Sequence, residues 1–121
     1  MKVLLLICSL VIITIWLLWE FKWEAIRVSG ISMLPTLKNG DFVLIDKRAK
    51  LRLGDIVVLT PPDSTYLVVK RITKIQTEVN HTLYWVVGDN RNHSHDSRDY
   101  GWVEEAKIEG RVIKSWKTKK Q

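Results

Sequence analysis

A hydroxyl, an amine and a polar loop carry the chemistry this sequence can offer. The hydroxyl is Ser32, in the run Ser29-Gly30-Ile31-Ser32-Met33-Leu34-Pro35-Thr36-Leu37. It lies between apolar Ile31 and Met33, just past a glycine and just before a proline. Gly30 admits backbone conformations that a Cβ forbids, while Pro35 fixes one φ angle and biases Leu34 towards an extended shape. A small hydroxyl is thus held on a stiff, bent piece of chain, although the same residues would also serve as a plain turn entering a strand. The amine is Lys70, in Tyr66-Leu67-Val68-Val69-Lys70-Arg71-Ile72, which reads as a strand because its residues are mostly β-branched or aromatic. Side chains alternate along a strand, so Tyr66, Val68, Lys70 and Ile72 share one face, on which Lys70 is the only charge. Burial there disfavours the ammonium, lowers its pKa and makes a usable general base. On an edge strand the same lysine would instead reach solvent along its own stem.

The polar loop runs from Gly88 to Gly101 as Gly-Asp-Asn-Arg-Asn-His-Ser-His-Asp-Ser-Arg-Asp-Tyr-Gly. Taken together, the three stretches resemble the type I signal peptidases, membrane-bound proteases with a Ser/Lys dyad. The family's S-M-x-P-T-L motif is matched by Ser32 to Leu37, and its K-R plus a branched apolar residue by Lys70-Arg71-Ile72. Its box G-D-N-R-x-x-S-x-D-S-R-x-x-G is matched at every fixed position from Gly88 to Gly101. An R-x-G-D-I-V-V-like element appears as Arg52-Leu53-Gly54-Asp55-Ile56-Val57-Val58. These motifs keep the family order over residues 29–101.

The resemblance implies Ser32 as nucleophile and Lys70 as general base, with Ser94 orienting the lysine and Asp96 and Arg98 forming an ion pair behind the site. An Asp/Arg pair at i, i+2 shares one face of an extended chain, which fits that role. Arg71, on the opposite strand face, cannot deprotonate and is expected to pair with a carboxylate. The oxyanion of the tetrahedral intermediate needs donors, one being the Ser32 backbone N–H. Some family members add a hydroxyl two residues before the nucleophile, but Gly30 stands there and Ser29 is not assigned that role. Ile31, Met33 and Leu34 are expected to wall shallow pockets for small substrate side chains. His93 and His95 would put two rings on one side of a strand, yet the family motif leaves both positions variable, so no metal and no other cofactor is expected. The family often has Gly and Pro-Gly-Asp after the lysine motif and a large insertion before the box. Here Thr73-Lys74-Ile75 and a short link stand in their place, a departure that leaves the dyad residues intact.

These residues have to be positioned by a small chain of 121 residues, 46% of them hydrophobic, enough for one domain plus one special segment. The net charge of +6 fits an anionic surface, but no arginine-rich run with interleaved aromatics supports nucleic acid. The lone Cys8 excludes an internal disulfide and sits too early in the apolar run for a lipoprotein anchor. From Val3 to Trp19 Cys8 is the only ionisable side chain, and Ser9 and Thr14 can return their hydroxyls to a helix backbone. That is near the lower limit for crossing a bilayer. The run exits into Trp16-Leu17-Leu18-Trp19-Glu20-Phe21-Lys22-Trp23 without a small-x-small cleavage site, so it reads as an uncleaved anchor with an aromatic belt. Lys2 and the terminal amine precede it, while Glu20, Lys22, Glu24 and Arg27 roughly cancel after it. The positive-inside tendency then expects a single-pass protein of the cell membrane, N-terminus cytoplasmic and catalytic domain extracytoplasmic.

Beyond the anchor the pattern predicts strands near 24–28, 42–45, 55–59, 66–72, 83–87 and 106–116. Turn or polar connections lie at 37–41, 47–54, 61–64 and 74–81, and a basic tail closes the chain at 117–120. The expected fold class is mainly β: a compact catalytic β-domain over 23–121, preceded by one N-terminal transmembrane helix and interfacial flank over 1–22. The leading expectation is a serine endopeptidase acting on precursor proteins with signal peptides at the lipid bilayer. A dedicated maturation protease of the same family is a second reading, and a membrane-tethered domain that binds exported chains without cutting them is a third. Self-cleaving repressor peptidases also use Ser/Lys, but they carry DNA-binding helices that this chain lacks.

Overall fold

A computed structural model describes residues 1–117; Thr118, Lys119 and Lys120 of the basic tail lie outside the described residues. The apolar run forms α1, Lys2–Lys22. It contains no glycine or proline, and Thr14 Oγ1 donates to the Leu10 carbonyl at 2.8 Å, which removes its polar cost inside an apolar helix. The stretch Lys2–Trp19 is long and apolar enough to cross a membrane, and none of it is buried against the rest of the protein. At its end the Trp19 and Trp23 rings meet edge to face at 4.2 Å between centroids.

From Trp23 the chain is extended and enters a single seven-stranded sheet. The strands are β1 (Trp23–Arg27), β2 (Phe42–Asp46), β3 (Ile56–Leu59), β4 (Val68–Thr77), β5 (Thr82–Val87), β6 (Val103–Glu104) and β7 (Ile108–Trp116). Their order across the sheet is β1-β2-β7-β3-β4-β5-β6, with every neighbouring pair antiparallel. Successive residues of β3 enter different cores: Val58 joins Val43, Ile45, Met33 and Leu37, whereas Val57 and Leu59 join Ile72, Tyr84 and Val86. The sheet is therefore covered on both faces at its centre, and the curl that allows this brings the end of β1 near the start of β4. The mainly β class with one N-terminal apolar helix is as expected.

Several boundaries differ for identifiable reasons. β4 begins at Val68 and runs on to Thr77, because Lys74 to Thr77 pair with β5 in a hairpin ending at Thr77 and Thr82, with a bulge at Thr73. Tyr66 and Leu67 lie before the strand, and the expected link at 74–81 shrinks to Glu78–His81, where the Glu78 N–H donates to the His81 carbonyl. Phe42 opens β2 on its solvent face and is exposed. A short helix, α2 (Ser97–Tyr100), sits inside the polar loop, where strand geometry was expected. Its cause is local: Asp96 caps the helix by accepting from the Arg98 N–H, and the Asp99 side chain accepts from the Asp96 N–H, a reciprocal capping box.

Candidate active site

The loop between β1 and β2 presents Ser32. Its base is closed by backbone bonds in both directions between Val28 and the Gly40–Asp41 turn, and Gly30, at φ +89°, makes the bend that a side chain would resist. Met33 and Leu37 are buried and anchor the loop from beneath. The Leu34–Pro35 peptide is cis, and Leu34 turns instead of extending. From the far side, the Asn90 N–H donates to the Ser32 carbonyl at 2.8 Å and Asn90 Nδ2 to the Ile31 carbonyl at 3.0 Å.

Lys70 comes to this hydroxyl from 38 residues away, its Nζ donating to Ser32 Oγ at 2.8 Å. The residue is 4% exposed. In the β3–β4 register it stands opposite the fully buried Val57. Burial is the main influence on its pKa and pushes it down; the Asp96 carboxylate pulls it up, and the Arg98 guanidinium pushes it down again. Among the described residues, Ser32 is the one hydrogen-bond partner of an ammonium that has three protons to place. Under-solvation of this kind favours the free amine. The same short contact then runs the other way, from hydroxyl proton to amine lone pair.

Behind Lys70, Asp96 is fully buried and collects donors. Ser94 Oγ donates to its Oδ2 at 2.6 Å and the Gly88 N–H at 2.9 Å, while the Arg98 guanidinium reaches both oxygens at 2.9 and 3.0 Å. Burial by itself would raise this carboxyl, but Arg98, Ser94 and the two backbone N–H groups outweigh it and hold it well below the usual carboxylate range. Two expectations change here. Asp96 and Arg98 do pair, but through the turn of the α2 cap and not across a strand face. Ser94 hydrogen-bonds Asp96, and among the described residues no bond joins it to Lys70. Its hydroxyl is fixed by the carboxylate behind the site.

Two further residues, Asp89 and Thr36, join the halves of the site, and their roles were not assigned from the sequence. Arg71, on the other face of β4, forks onto Asp89 with Nε to Oδ1 at 2.9 Å and Nη2 to Oδ2 at 2.8 Å. This supplies the carboxylate expected for Arg71. Thr36 Oγ1 also donates to Asp89 Oδ2, at 2.6 Å. Arg71, beside Asp89, is the main influence keeping that carboxyl low, opposed by burial. One aspartate thus ties the serine loop to the lysine strand. Gly88 is needed for the same closeness, since a Cβ there would overlap Ser94 Oγ and lie 2.6 Å from the Ser32 carbonyl. The sequence signal was adjacency to Asn90 in the box, but with Asp96 given to Arg98 both Asp89 and Asp99 were candidates for Arg71.

Beside the dyad lies a cleft of about 480 Å³, walled by Val28, Ile31 and Met33 on one side and Tyr66, Leu67 and Val69 on the other. Of the expected pocket residues Ile31 and Met33 line it, Met33 mostly from the core, while Leu34 is not among its walls. His93 also lines it. His95 instead meets Asp63 at 2.6 Å, and no cluster of three or more metal-binding side chains occurs among the described residues. None of the described residues accepts from the Ser32 backbone N–H, which leaves it available as an oxyanion donor.

A buried amine against a serine hydroxyl, with an apolar cleft alongside, can deprotonate that hydroxyl, attack a carbonyl and later activate water. Sequence comparison points the same way. The profile of the family described as signal peptidase, peptidase S26, matches residues 1–76 and 72–116. Mitochondrial inner membrane protease subunit 1 of Schizosaccharomyces pombe is 37% identical, across 78% of this chain and 73% of that protein. The subunit 1 of Xenopus tropicalis is 32% identical, across 81% of this chain and 72% of its own. Subunit 2 of Danio rerio is 30% identical over 71% of this chain and 60% of its own.

Proposed function

Because the chain belongs to the peptidase S26 family of signal peptidases, we propose that it is a membrane-anchored serine endopeptidase that removes signal peptides from exported precursor proteins. The observation that carries this reading is the 2.8 Å contact between Lys70 Nζ and Ser32 Oγ at a lysine 4% exposed. In the proposed reaction the neutral Lys70 amine takes the Ser32 proton as Oγ attacks the scissile carbonyl. The Ser32 N–H stabilises the oxyanion, and the departing amine takes the proton from Lys70. Water, deprotonated by the same amine, then hydrolyses the acyl-enzyme. Asp96, held by Ser94, Arg98 and Gly88, serves as the fixed charge behind the base.

The substrate lies extended along the cleft and is cut after a small residue with another small residue two positions earlier. α1 crosses the bilayer once, with its N-terminus on the cytoplasmic side and the β-domain on the other. A second reading, dedicated processing of one partner protein, is favoured by the relatives, which are named as subunits of an inner membrane protease. The test is incubation of the purified full chain, and of its Ser32→Ala variant, with a panel of precursors, followed by N-terminal sequencing of the products. Cleavage of many precursors by wild type alone supports the general role, and cleavage of one supports the dedicated role. Cleavage by folded Ser32→Ala protein would sink both.

A further inference from the structure

A second cleft, of about 870 Å³, lies away from the dyad. Lys47, Arg48 and Lys50 of the β2–β3 loop form one wall, and Thr77, Tyr84 and Glu105 stand on the other. The charges do not cancel. Lys47 pairs with Glu24 at 2.8 Å, and Glu105, a carboxylate that accepts from the Tyr84 hydroxyl at 2.7 Å, is the one carboxylate of the lining against Arg48 and Lys50. Asp46 Oδ1 accepts from the Arg48 backbone N–H at 2.9 Å, but among the described residues neither the Arg48 guanidinium nor the Lys50 ammonium has a carboxylate partner, and both residues are exposed. Two cations without a carboxylate on their side chains, with the Thr77 and Thr82 hydroxyls in the same lining, suit a phosphate.

Its position in the chain says where that phosphate comes from. The Lys47 N–H donates to the carbonyl of Lys22, the last residue of α1, at 2.7 Å. Next to it Trp23 is paired with Asp46 in the β1–β2 ladder, and the Lys22 ammonium sits 5.6 Å from the Trp23 ring. Lys50 is then at most roughly 11 Å of chain from a point fixed to the helix exit. Where α1 leaves a bilayer, this loop is at headgroup depth, within the distance over which an anionic surface attracts cations.

We propose that the Arg48–Lys50 cleft binds the phosphate of an anionic phospholipid in the bilayer that α1 spans; this rests on the membrane reading of α1 above. The consequence is orientation. No part of Lys2–Trp19 is buried against the domain, so the spanning part of α1 gives the sheet no packing contact that would set its tilt. A second attachment beside the helix exit fixes the sheet, and with it Ser32, relative to the membrane plane. Each cation near an anionic surface is worth roughly fivefold in association.

The experiment places the full chain in nanodiscs of phosphatidylcholine, with or without phosphatidylglycerol, and follows amine acylation of Lys50 by mass spectrometry. Lys74, exposed on β4, is the internal reference. Lys50 labelling is expected to slow several-fold against Lys74 only in the anionic discs, and Arg48→Glu is expected to abolish most of that protection. Equal Lys50 labelling in both disc types, with the chain inserted, overturns the proposal. So does equal protection by inorganic phosphate in neutral discs, which would make this a soluble-anion site. Failure of the chain to enter discs at all is a distinct result and overturns the membrane reading on which the proposal stands.

Discussion

At the scale of one residue, the reading turns on a lysine placed where an ammonium is poorly solvated. Only the neutral amine can take the serine proton, so the rate must rise with pH and level off above the Lys70 pKa. An ordinary lysine titrates near ~10.4. Burial pushes Lys70 below that, so the rising limb of kcat/KM on a peptide substrate is expected at clearly lower pH. A limb at the ordinary value would overturn the general-base assignment. Lys70→Arg keeps a cation but cannot be deprotonated, and its cleavage rate is expected to fall by orders of magnitude. The same burial has a cost in stability. A lysine whose folded pKa is lowered binds fewer protons when folded than when unfolded, so wild-type stability rises with pH between the folded and unfolded values. Lys70→Met is therefore expected to be inactive yet more thermostable than wild type at neutral pH, with the difference narrowing towards the ordinary lysine pKa. A Tm below wild type at neutral pH would show that the amine stabilises the fold, contrary to the desolvation argument.

At the scale of elements, the problem is how a loop after β1 and a strand far along the chain keep a 2.8 Å contact. The answer is the polar box, which bonds to both. Asp89 takes Arg71 of β4 and Thr36 of the serine loop, and Asn90 takes the Ser32 and Ile31 carbonyls. Asp89→Asn keeps the shape but removes the charge, and kcat is expected to fall roughly ten- to hundredfold with KM little changed. A loss confined to KM would place Asp89 on the substrate and not between the two elements. Gly88→Ala forces a Cβ onto Ser94 Oγ and the Ser32 carbonyl, and is expected to cost about 1–3 kcal/mol of stability together with most activity, measured by denaturant unfolding and peptide cleavage. These contacts also mark the limit of what the chain discloses before folding. Strand period and motif order put Ser32 and Lys70 in view, because each depends on its immediate neighbours. The choice of Asp89 for Arg71 depended on sheet curl and register, which no local pattern encodes. α2 was missed because four residues carry no helical period; the Asp96 and Asp99 spacing of a capping box was its one signal. β4 was drawn too short because its second half is mostly polar, a hairpin arm in which Ile75 packs against the core.

At the scale of the whole molecule, two parts meet at Trp23, one built for lipid and one for water. The β-domain has its own two cores and the Ser32–Lys70 contact within residues 23–117, while α1 gives the sheet little beyond the Trp19 contact with Trp23 and the Lys22 carbonyl for Lys47. Removing residues 1–22 is therefore expected to leave a folded domain. On a short soluble peptide, which diffuses freely to either form, the truncated and full chains are expected to have similar kcat/KM. On a precursor held in a bilayer they are expected to diverge strongly. The full chain meets such a substrate in two dimensions, where tethering raises effective concentration to about the millimolar range, whereas the truncated domain must find it from solution. The measurement is paired cleavage of the peptide and of a nanodisc-bound precursor by both forms. Equal loss on both substrates would show that α1 is part of the catalytic fold. Equal rates on both would remove any role for the anchor in substrate capture, and the placement of the cut site at the membrane surface would then need another cause.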